Sequence, residues 1–237
     1  PRAVRLEWPE ELLADVDAAL GPDTDDELAA MQGEAATDIR INPLKVNHRR
    51  VVRDKLAGRG IKCHPTRLSP LGIRLVRRTR TEDLSAFRSG LFEIQDEASQ
   101  VAAMLCDARP GMQVADICAG AAGKSLVMAA AMENRGRIVA LDTDAGRLEL
   151  GGARIRRAGI HNIERVAVSG DWGTKRYRGK FDRVVIDAPC SGSGTWRRQV
   201  DVRWRTDAAT MARLHDAQAS LLEKGRAMLA PGGRIVY

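Results

Sequence analysis

The sequence predicts an α/β fold in which a parallel sheet with crossover helices follows a smaller α/β module. Three observations point there. Apolar, strand-like runs recur at Val114-Ala115-Asp116-Ile117, Ile138-Val139-Ala140-Leu141 and Val184-Val185-Ile186, the pattern of strands buried on both faces. Helical stretches such as residues 126–132 and 145–157 lie between them, so strand and helix alternate as in a sheet with right-handed crossovers. Each run also ends in an acid or a glycine-containing turn, at the strand end where open α/β sheets place ligands.

Three regions are expected in chain order: residues 1–37, 38–92 and 93–237. Residues 9–35 read as helical, with Leu12, Leu13, Val16, Leu20 and then Leu28 and Met31 at helix-like spacing, interrupted by Gly21-Pro22. The second region predicts a strand at 38–41, a helix at 49–58 and strands at 61–65 and 72–76. A helix over 96–108 leads into the third region, and Pro110-Gly111 marks the start of its sheet. There the strands are expected at 114–117, 137–142, 164–168 and 184–186. The chain holds no internal repeat and no low-complexity tract.

The run Val184-Val185-Ile186-Asp187-Ala188-Pro189-Cys190-Ser191-Gly192 sets a carboxylate and a thiol at a strand end, with a stiff proline between them. Asp187 and Cys190 are therefore candidate catalytic residues, although a buried cysteine after a turn would look the same. Upstream, Asp116-Ile117-Cys118-Ala119-Gly120-Ala121-Ala122-Gly123-Lys124-Ser125 reads as strand, turn and helix start. Small residues allow close approach of the backbone to a ligand, and the helix N-terminus favours an anionic group. The dinucleotide fingerprint G-x-G-x-x-G fails, because only Gly120 and Gly123 are present. The P-loop pattern comes nearer through Gly123-Lys124-Ser125 but meets Cys118 where glycine belongs, and Asp187 would imitate its magnesium-binding acid. An S-adenosylmethionine (SAM) site is the third reading. Asp142, at the end of the next strand, favours it, because an acid there can accept hydrogen bonds from ribose hydroxyls; the plainer role for Asp142 is a helix N-cap. Asp171, beyond the third strand, serves either as a turn cap or as a partner for an adenine amino group.

Composition excludes some classes. The 237 residues are 44% hydrophobic, enough for a domain of ordinary size plus a smaller one. The four cysteines, Cys63, Cys106, Cys118 and Cys190, form no C-x-x-C pair or metal-ligand spacing, so free thiols in a reducing, cytoplasmic setting and no metal are expected. No apolar run of about 18 residues and no signal peptide is present, so no membrane association is expected. The net charge of +7 hides an asymmetry. Residues 1–38 carry two arginines against eleven acids, whereas residues 39–90 carry fourteen lysines and arginines against three. The basic block, including Arg40, Lys45, Arg49, Arg50 and Arg53, is the footprint expected for a phosphate backbone. A solvated face that keeps the protein soluble is the alternative.

Together these residues resemble the Sun/Fmu family of RNA cytosine carbon-5 methyltransferases, whose bacterial members modify small-subunit ribosomal RNA. The resemblance runs through Leu91-Phe92-Glu93-Ile94-Gln95-Asp96-Glu97-Ala98-Ser99-Gln100, the turn Cys118-Ala119-Gly120-Ala121-Ala122-Gly123-Lys124 and the Asp187-Ala188-Pro189-Cys190 box. It continues through Trp196-Arg197-Arg198-Gln199-Val200-Asp201-Val202-Arg203-Trp204 and Pro231-Gly232-Gly233-Arg234-Ile235-Val236-Tyr237, and Arg40-Ile41-Asn42-Pro43-Leu44-Lys45 resembles the start of the family's N-terminal RNA-binding module. One departure is visible: Ala121-Ala122-Gly123 stands where the family usually has a proline and paired glycines. The resemblance implies a Rossmann-like SAM-dependent methyltransferase domain with a smaller N-terminal RNA-binding module like an RNA-recognition motif. It implies SAM contacts from residues 118–124, Asp142, Asp171 and Asp187, and RNA contacts that include Arg197 and Arg198. A monomer is expected. A P-loop-like NTPase and a non-catalytic RNA-binding protein are the rival classes.

The chemistry explains the residue types. Carbon-5 of cytosine is a poor nucleophile until a thiolate adds to carbon-6; it then attacks the sulfonium methyl of SAM, a base removes the carbon-5 proton, and the thiol is eliminated. An unperturbed cysteine is only a few per cent thiolate at neutral pH yet strongly nucleophilic. Residue chemistry alone names Cys190 the nucleophile, with Asp187 beside it. The family resemblance gives that position the release of product instead, and puts the nucleophile in a Thr-Cys pair just after the strand matching residues 234–237. Since the sequence stops at Tyr237, a truncated or incompletely ordered product is the expectation from that resemblance, one that binds SAM and RNA without turnover if nothing follows.

Overall fold

The computed structural model describes residues 1–169, 172 and 174–237. They form two compact units, Pro1–Ala35 with Pro189–Ser220, and Ala36–Ala188 with Leu221–Tyr237. This division differs from the expected three consecutive regions: the stretch after the Asp187 strand joins the N-terminal helices, and the small module joins the parallel sheet.

The first unit begins with helices α1 (Arg2–Leu6), α2 (Glu10–Leu20) and α3 (Thr24–Ala30), with a 3-10 turn at Gly21–Asp23 where Gly21-Pro22 interrupts the apolar spacing. Their apolar faces are too small to close on themselves. Leu6, Trp8, Leu12, Leu13 and Leu28 instead surround Trp196 from the later segment, with the Trp8 and Trp196 rings 4.7 Å apart. Arg203 is buried there and donates to the Glu7 carbonyl at 2.7 Å. The acidic character of the first helices is partly answered within the unit, since Arg2 bridges Asp17 and Asp25 at 2.6 Å each. Arg2 also holds both carboxylates below their usual range.

The second unit opens with β1 (Thr37–Ile41), α4 (Arg49–Ala57), β2 (Cys63–Pro65), β3 (Gly72–Leu75), α5 (Ser85–Arg88) and β4 (Phe92–Ile94). The strands pair antiparallel in the order β2-β3-β1-β4, a β-α-β-β-α-β arrangement. Alternation along the strands decides the two faces. Ile39, Ile41, Ile73, Leu75 and Phe92 meet Val52 and Leu56 of α4 in a core. Asp38, Arg40 and Glu93, on the other face, are nevertheless buried.

What buries them is the rest of the unit: α6 (Glu97–Leu105), β5 (Gln113–Ile117), α7 (Gly123–Ala131), β6 (Arg137–Asp142), α8 (Ala145–Ala158), β7 (Ile163–Ala167), β8 (Phe181–Ile186), α9 (Ala208–Met228, which begins in the first unit) and β9 (Leu229–Val236). These five strands are parallel in the order β7-β6-β5-β8-β9. Val114, Ile138 and Val185 face one core, and Ile117, Leu141 and Ile186 face the other. The expected bounds of β5, β6 and β7 hold to within a residue, whereas β8 begins three residues before the expected 184–186 and β9 five residues before the expected 234–237. Among the described residues no helix is long and apolar enough to cross a membrane.

The small sheet joins the parallel sheet through polar contacts. Asp38 takes a bidentate bond from Arg74 of the paired strand β3 within the small sheet, at 2.7 and 2.8 Å, and accepts from the Glu97 N–H of α6 at 3.2 Å. Glu93, only 4% exposed in its side chain, bridges Arg154 at 3.1 Å and Arg157 at 2.6 Å, both on α8. Arg40 donates to Gln95 at 2.7 Å, and burial lowers its pKa to about 10 despite the nearby Glu93 carboxylate. Asn42 donates to the carbonyl of Ala158 at 2.8 Å and Lys45 to that of Arg157 at 2.7 Å. These are carbonyls that the end of α8 leaves without helical partners. Gly90, at φ +69°, lies against the same turn, where an added Cβ would sit 1.9 Å from the Arg157 carbonyl oxygen.

Glu93→Gln keeps the shape of the side chain but leaves two guanidinium groups facing a neutral amide. Breaking a buried pair in this way costs roughly 3–5 kcal/mol, so the urea midpoint should fall clearly below that of the parent chain. An unchanged midpoint would show that the bridge contributes nothing to stability.

Candidate cofactor and catalytic site

Strands β5, β6 and β8 are neighbours, and their C-terminal ends form one edge. The turn after β5 is unusual in its backbone: Cys118 (φ 62°), Gly120 (φ 53°) and Ala122 (φ 62°) all occupy the left-handed region. Two of these carry side chains, a cost that persists only where the surroundings fix the geometry. The surroundings here are explicit. Ala119 N–H bonds the Leu141 carbonyl at 3.0 Å, Gly120 N–H bonds the Asp142 carboxylate at 2.7 Å, and Arg154 donates to the Ala121 carbonyl at 3.0 Å. At Gly120 a Cβ would come within 2.5 Å of the Arg147 guanidinium. Ala122 is fully buried and adjoins Gly151 of α8, so its methyl fills space in a core. This accounts for alanine where the family's turn usually carries glycine.

Asp142 is almost buried, and its second oxygen accepts from Asp144 N–H at 2.8 Å. The helix N-cap, the alternative role for Asp142, belongs to Asp144, which accepts from Arg147 N–H at 2.9 Å. Asp142 therefore shapes the turn and retains acceptor capacity at the strand end, since a carboxylate has about four lone-pair sites. Helix α7 starts at Gly123 with no side-chain cap, which leaves N–H groups of its first turn without a side-chain acceptor.

Beneath the turn lies Asp116, fully buried. Its Oδ2 accepts from the Ser125 hydroxyl at 2.5 Å, while Oδ1 has no hydrogen-bond partner among the described residues. Burial pushes this carboxyl up to about 6, against the opposing pull of Ser125 and Lys124. Lys124 meets Asp187 at 2.5 Å, with the lysine largely buried and the carboxylate half exposed. A cavity of about 230 Å³ runs past these groups, bounded also by Ile94, Gln95, Ala119, Arg147 and Arg154. The turn residues 118–124, Asp142 and Asp187 thus lie together at these strand ends. Asp171 lies outside the described residues. No cluster of metal-ligating side chains occurs among the described residues.

The donor set suits a cofactor such as SAM. It offers a carboxylate at the end of β6 for hydroxyls, free helix N–H groups for a carboxylate, and an unpartnered buried acceptor on Asp116 for an N–H donor. A P-loop would use its lysine on phosphates, whereas here Lys124 is neutralised by Asp187.

The cysteines separate by environment. Burial pushes Cys106 up to about 12, and burial with three nearby carboxylates pushes Cys118 up to about 11. Cys63 is also raised by burial, against Arg53. Cys190, three residues along the chain from Asp187, is exposed.

The expected RNA contacts fare unevenly. Arg40 is buried and Lys45 caps α8, so both are structural, a correction that follows from the polar docking of the small sheet. Arg49 donates to the carbonyls of Ser69 and Gly72, Arg50 is exposed in an i,i+4 pair with Asp54, and Arg53 is half-buried. Arg197 donates to the carbonyls of Gly33 and Glu34, and Arg198 is exposed and also has a partner. Residue reading missed Gln95, Arg147 and Arg154 at the cavity. The available signal was Glu93, a charged residue in an apolar strand, which demands partners elsewhere.

A family model described as 16S rRNA methyltransferase RsmB/F matches residues 103–237. The chain is 34% identical over 204 residues to a probable ribosomal RNA small subunit methyltransferase B of Synechocystis sp., covering 84% of this chain and 45% of that protein. It is 31% identical over 219 residues to a ribosomal RNA small subunit methyltransferase F of Cronobacter sakazakii, covering 90% and 45%. It spans about half the length of the curated relatives it matches. A crystal structure of a methyltransferase homolog protein from Pyrococcus horikoshii superposes with a TM-score of 0.82 at 29% identity, covering 99% of this chain and 74% of that one.

The raised Asp116 carboxyl carries a signed pH effect. An unfolded aspartate titrates near 3.9, so between about pH 4 and 6 the folded state holds the extra proton and loses stability as pH rises. Asp116→Asn removes this loss. Relative to the parent, the variant should gain up to roughly 3 kcal/mol between pH 4 and 7, read from urea midpoints across that range. Parallel pH profiles would refute the assignment.

Proposed function

The chain belongs to the RsmB/F family of 16S rRNA methyltransferases, and from that premise we propose that it transfers a methyl group from SAM to carbon-5 of a cytidine in ribosomal RNA through a covalent cysteine adduct. One observation carries the reading: the turn, Asp142 and the Lys124–Asp187 pair converge at the ends of three adjacent parallel strands.

SAM, when bound, supplies an electrophilic sulfonium methyl. The chain's own groups do the rest. Asp142 accepts from ribose hydroxyls, and the first N–H groups of α7 receive the amino-acid carboxylate. Lys124 holds Asp187 in place, so that its free lone pairs meet the exocyclic amine of the cytosine. Once a thiolate has bonded carbon-6, the electron pair of the enamine forms the carbon-5–methyl bond as the sulfonium–methyl bond breaks. Loss of the carbon-5 proton to a base then restores the double bond and expels the thiolate.

Cys118 and Cys106 are unsuited to nucleophilic work, because their environments favour the protonated thiol. We assign Cys190 to release of the methylated base, with the nucleophile in the family's Thr-Cys pair beyond residue 237. In a chain that continues through that pair, Cys190→Ala should form an RNA adduct that accumulates, visible as a slower band on a denaturing gel. Absence of the band would make Cys190 the nucleophile.

Cofactor binding is tested separately. Asp142→Ala should weaken SAM binding by about 1–3 kcal/mol, the range for hydrogen bonds to a charged group, as measured by calorimetric titration. Unchanged affinity would remove Asp142 from the cofactor site.

A further inference from the structure

The small β-α-β-β-α-β module sits inside the basic block, but its open-sheet surface is not available to a nucleic acid. Asp38, Arg40, Gly72 and Glu93 on that face are all buried. Gln100 of α6, fully buried, donates to the Gln95 carbonyl and accepts from Ser69 beneath it. The strand residues of that face include no Phe, Tyr or Trp for single-stranded bases to stack on, and the ring it does carry, His64 opposite Arg74, lies on the outer strand β2.

The module's cations gather elsewhere. The N–H of Val76 bonds the carbonyl of Lys62 at 3.0 Å, one step past the pairing of Cys63 with Leu75. That ladder step brings the loop after α4 beside the segment that leaves β3. Between them is a groove of about 440 Å³ lined by Gly60, Ile61, Lys62, Val76, Arg77 and Arg78. The three cations are exposed and no acid lines the groove. Among the described residues none of the three is in an ion pair, unlike Arg50, Arg74 and Arg80 of the same module. Three unanswered positive charges in one concavity concentrate a positive potential.

We propose that this groove at the β2–β3 edge holds the phosphodiester backbone of single-stranded RNA, with Lys62, Arg77 and Arg78 as its phosphate contacts. The proposal rests on the reading of RNA as substrate. It places the strand at the sheet's edge, leaving the buried face to dock the module. Exposed Val76 and the open space at Gly60, where a Cβ would meet nothing within 4 Å, leave room for the sugar and base edges. Phosphate contacts of this kind position a strand without reading its sequence.

The test uses the whole chain and a fluorescent single-stranded RNA of about 20 nucleotides drawn from small-subunit rRNA, with anisotropy titrations at several KCl concentrations. Lys62→Glu/Arg77→Glu/Arg78→Glu should weaken binding on the order of tenfold or more at low salt and flatten the log–log salt slope by about 2, at roughly 0.7 per phosphate contact. Lys175→Glu/Arg178→Glu/Lys180→Glu, an equal change in net charge outside the module, should leave both nearly unchanged. The neutral variant Lys62→Gln/Arg77→Gln/Arg78→Gln should fall between. SAM binding retained at parental affinity verifies that the variants are folded. Equal losses in both triple reversals, or parental binding in the groove variants, would overturn the groove assignment while leaving the RNA reading intact. A parent chain that binds no RNA would overturn both.

Discussion

The buried carboxylate of Glu93 is the contact on which the second unit's arrangement turns. It sits at the middle of β4, the outer strand of the small sheet, and meets two arginines one helical turn apart on α8. Because strand side chains alternate, sliding the sheet by one residue would present Phe92 or Ile94 to these cations and put the carboxylate into the apolar core. The bridge therefore fixes register. Asn42 and Lys45 reinforce it by satisfying the last carbonyls of α8, so the C-terminus of a helix in one sheet system is completed by side chains from the other. The same Arg154 that meets Glu93 also holds the Ala121 carbonyl. A chain of direct contacts thus runs from the small sheet to the strained turn.

That turn shows how a strained backbone is kept in place. Positive φ at Cys118 and Ala122 is unfavourable for residues with a Cβ, but each surrounding group removes an alternative. Leu141 and Asp142 hold N–H groups on one side, Arg154 holds a carbonyl on the other, and Gly151 leaves room for the alanine methyl. Asp116 beneath is a buried acid with one bonded and one unbonded oxygen. Such a group costs stability, and its position against the cavity places that cost where a ligand's donor can offset it.

Much of this was legible in the residues. Acid-ended apolar runs located β5, β6 and β8 and, with them, Asp142 and Asp187, because burial on both faces leaves an unmistakable composition. The small module was legible in part, with β1, α4, β2 and β3 near their expected bounds and the short α5 and β4 not anticipated. Charge counting misled where tertiary structure reuses a cation. Arg40 and Lys45 look like their neighbours Arg50 and Arg59 in sequence, yet one is buried and the other caps a helix. A linear count treats every cation as solvated, and only the partner surface decides otherwise. The first unit was equally hidden: nothing local says that Trp196 completes the core around Trp8, nearly two hundred residues away.

The cysteines carry the same lesson into chemistry. All four thiols are equivalent by residue type, and the environment separates them. Cys118 lies in the turn after β5, where burial and three nearby carboxylates push its thiol up to about 11. The carboxylates that suit the turn to hydroxyl and amine donors are the same groups that disfavour a thiolate there. A site built from acids at strand ends must therefore bring its reactive thiol in from a different element. Of the four thiols, Cys190, just beyond Pro189, is the exposed one.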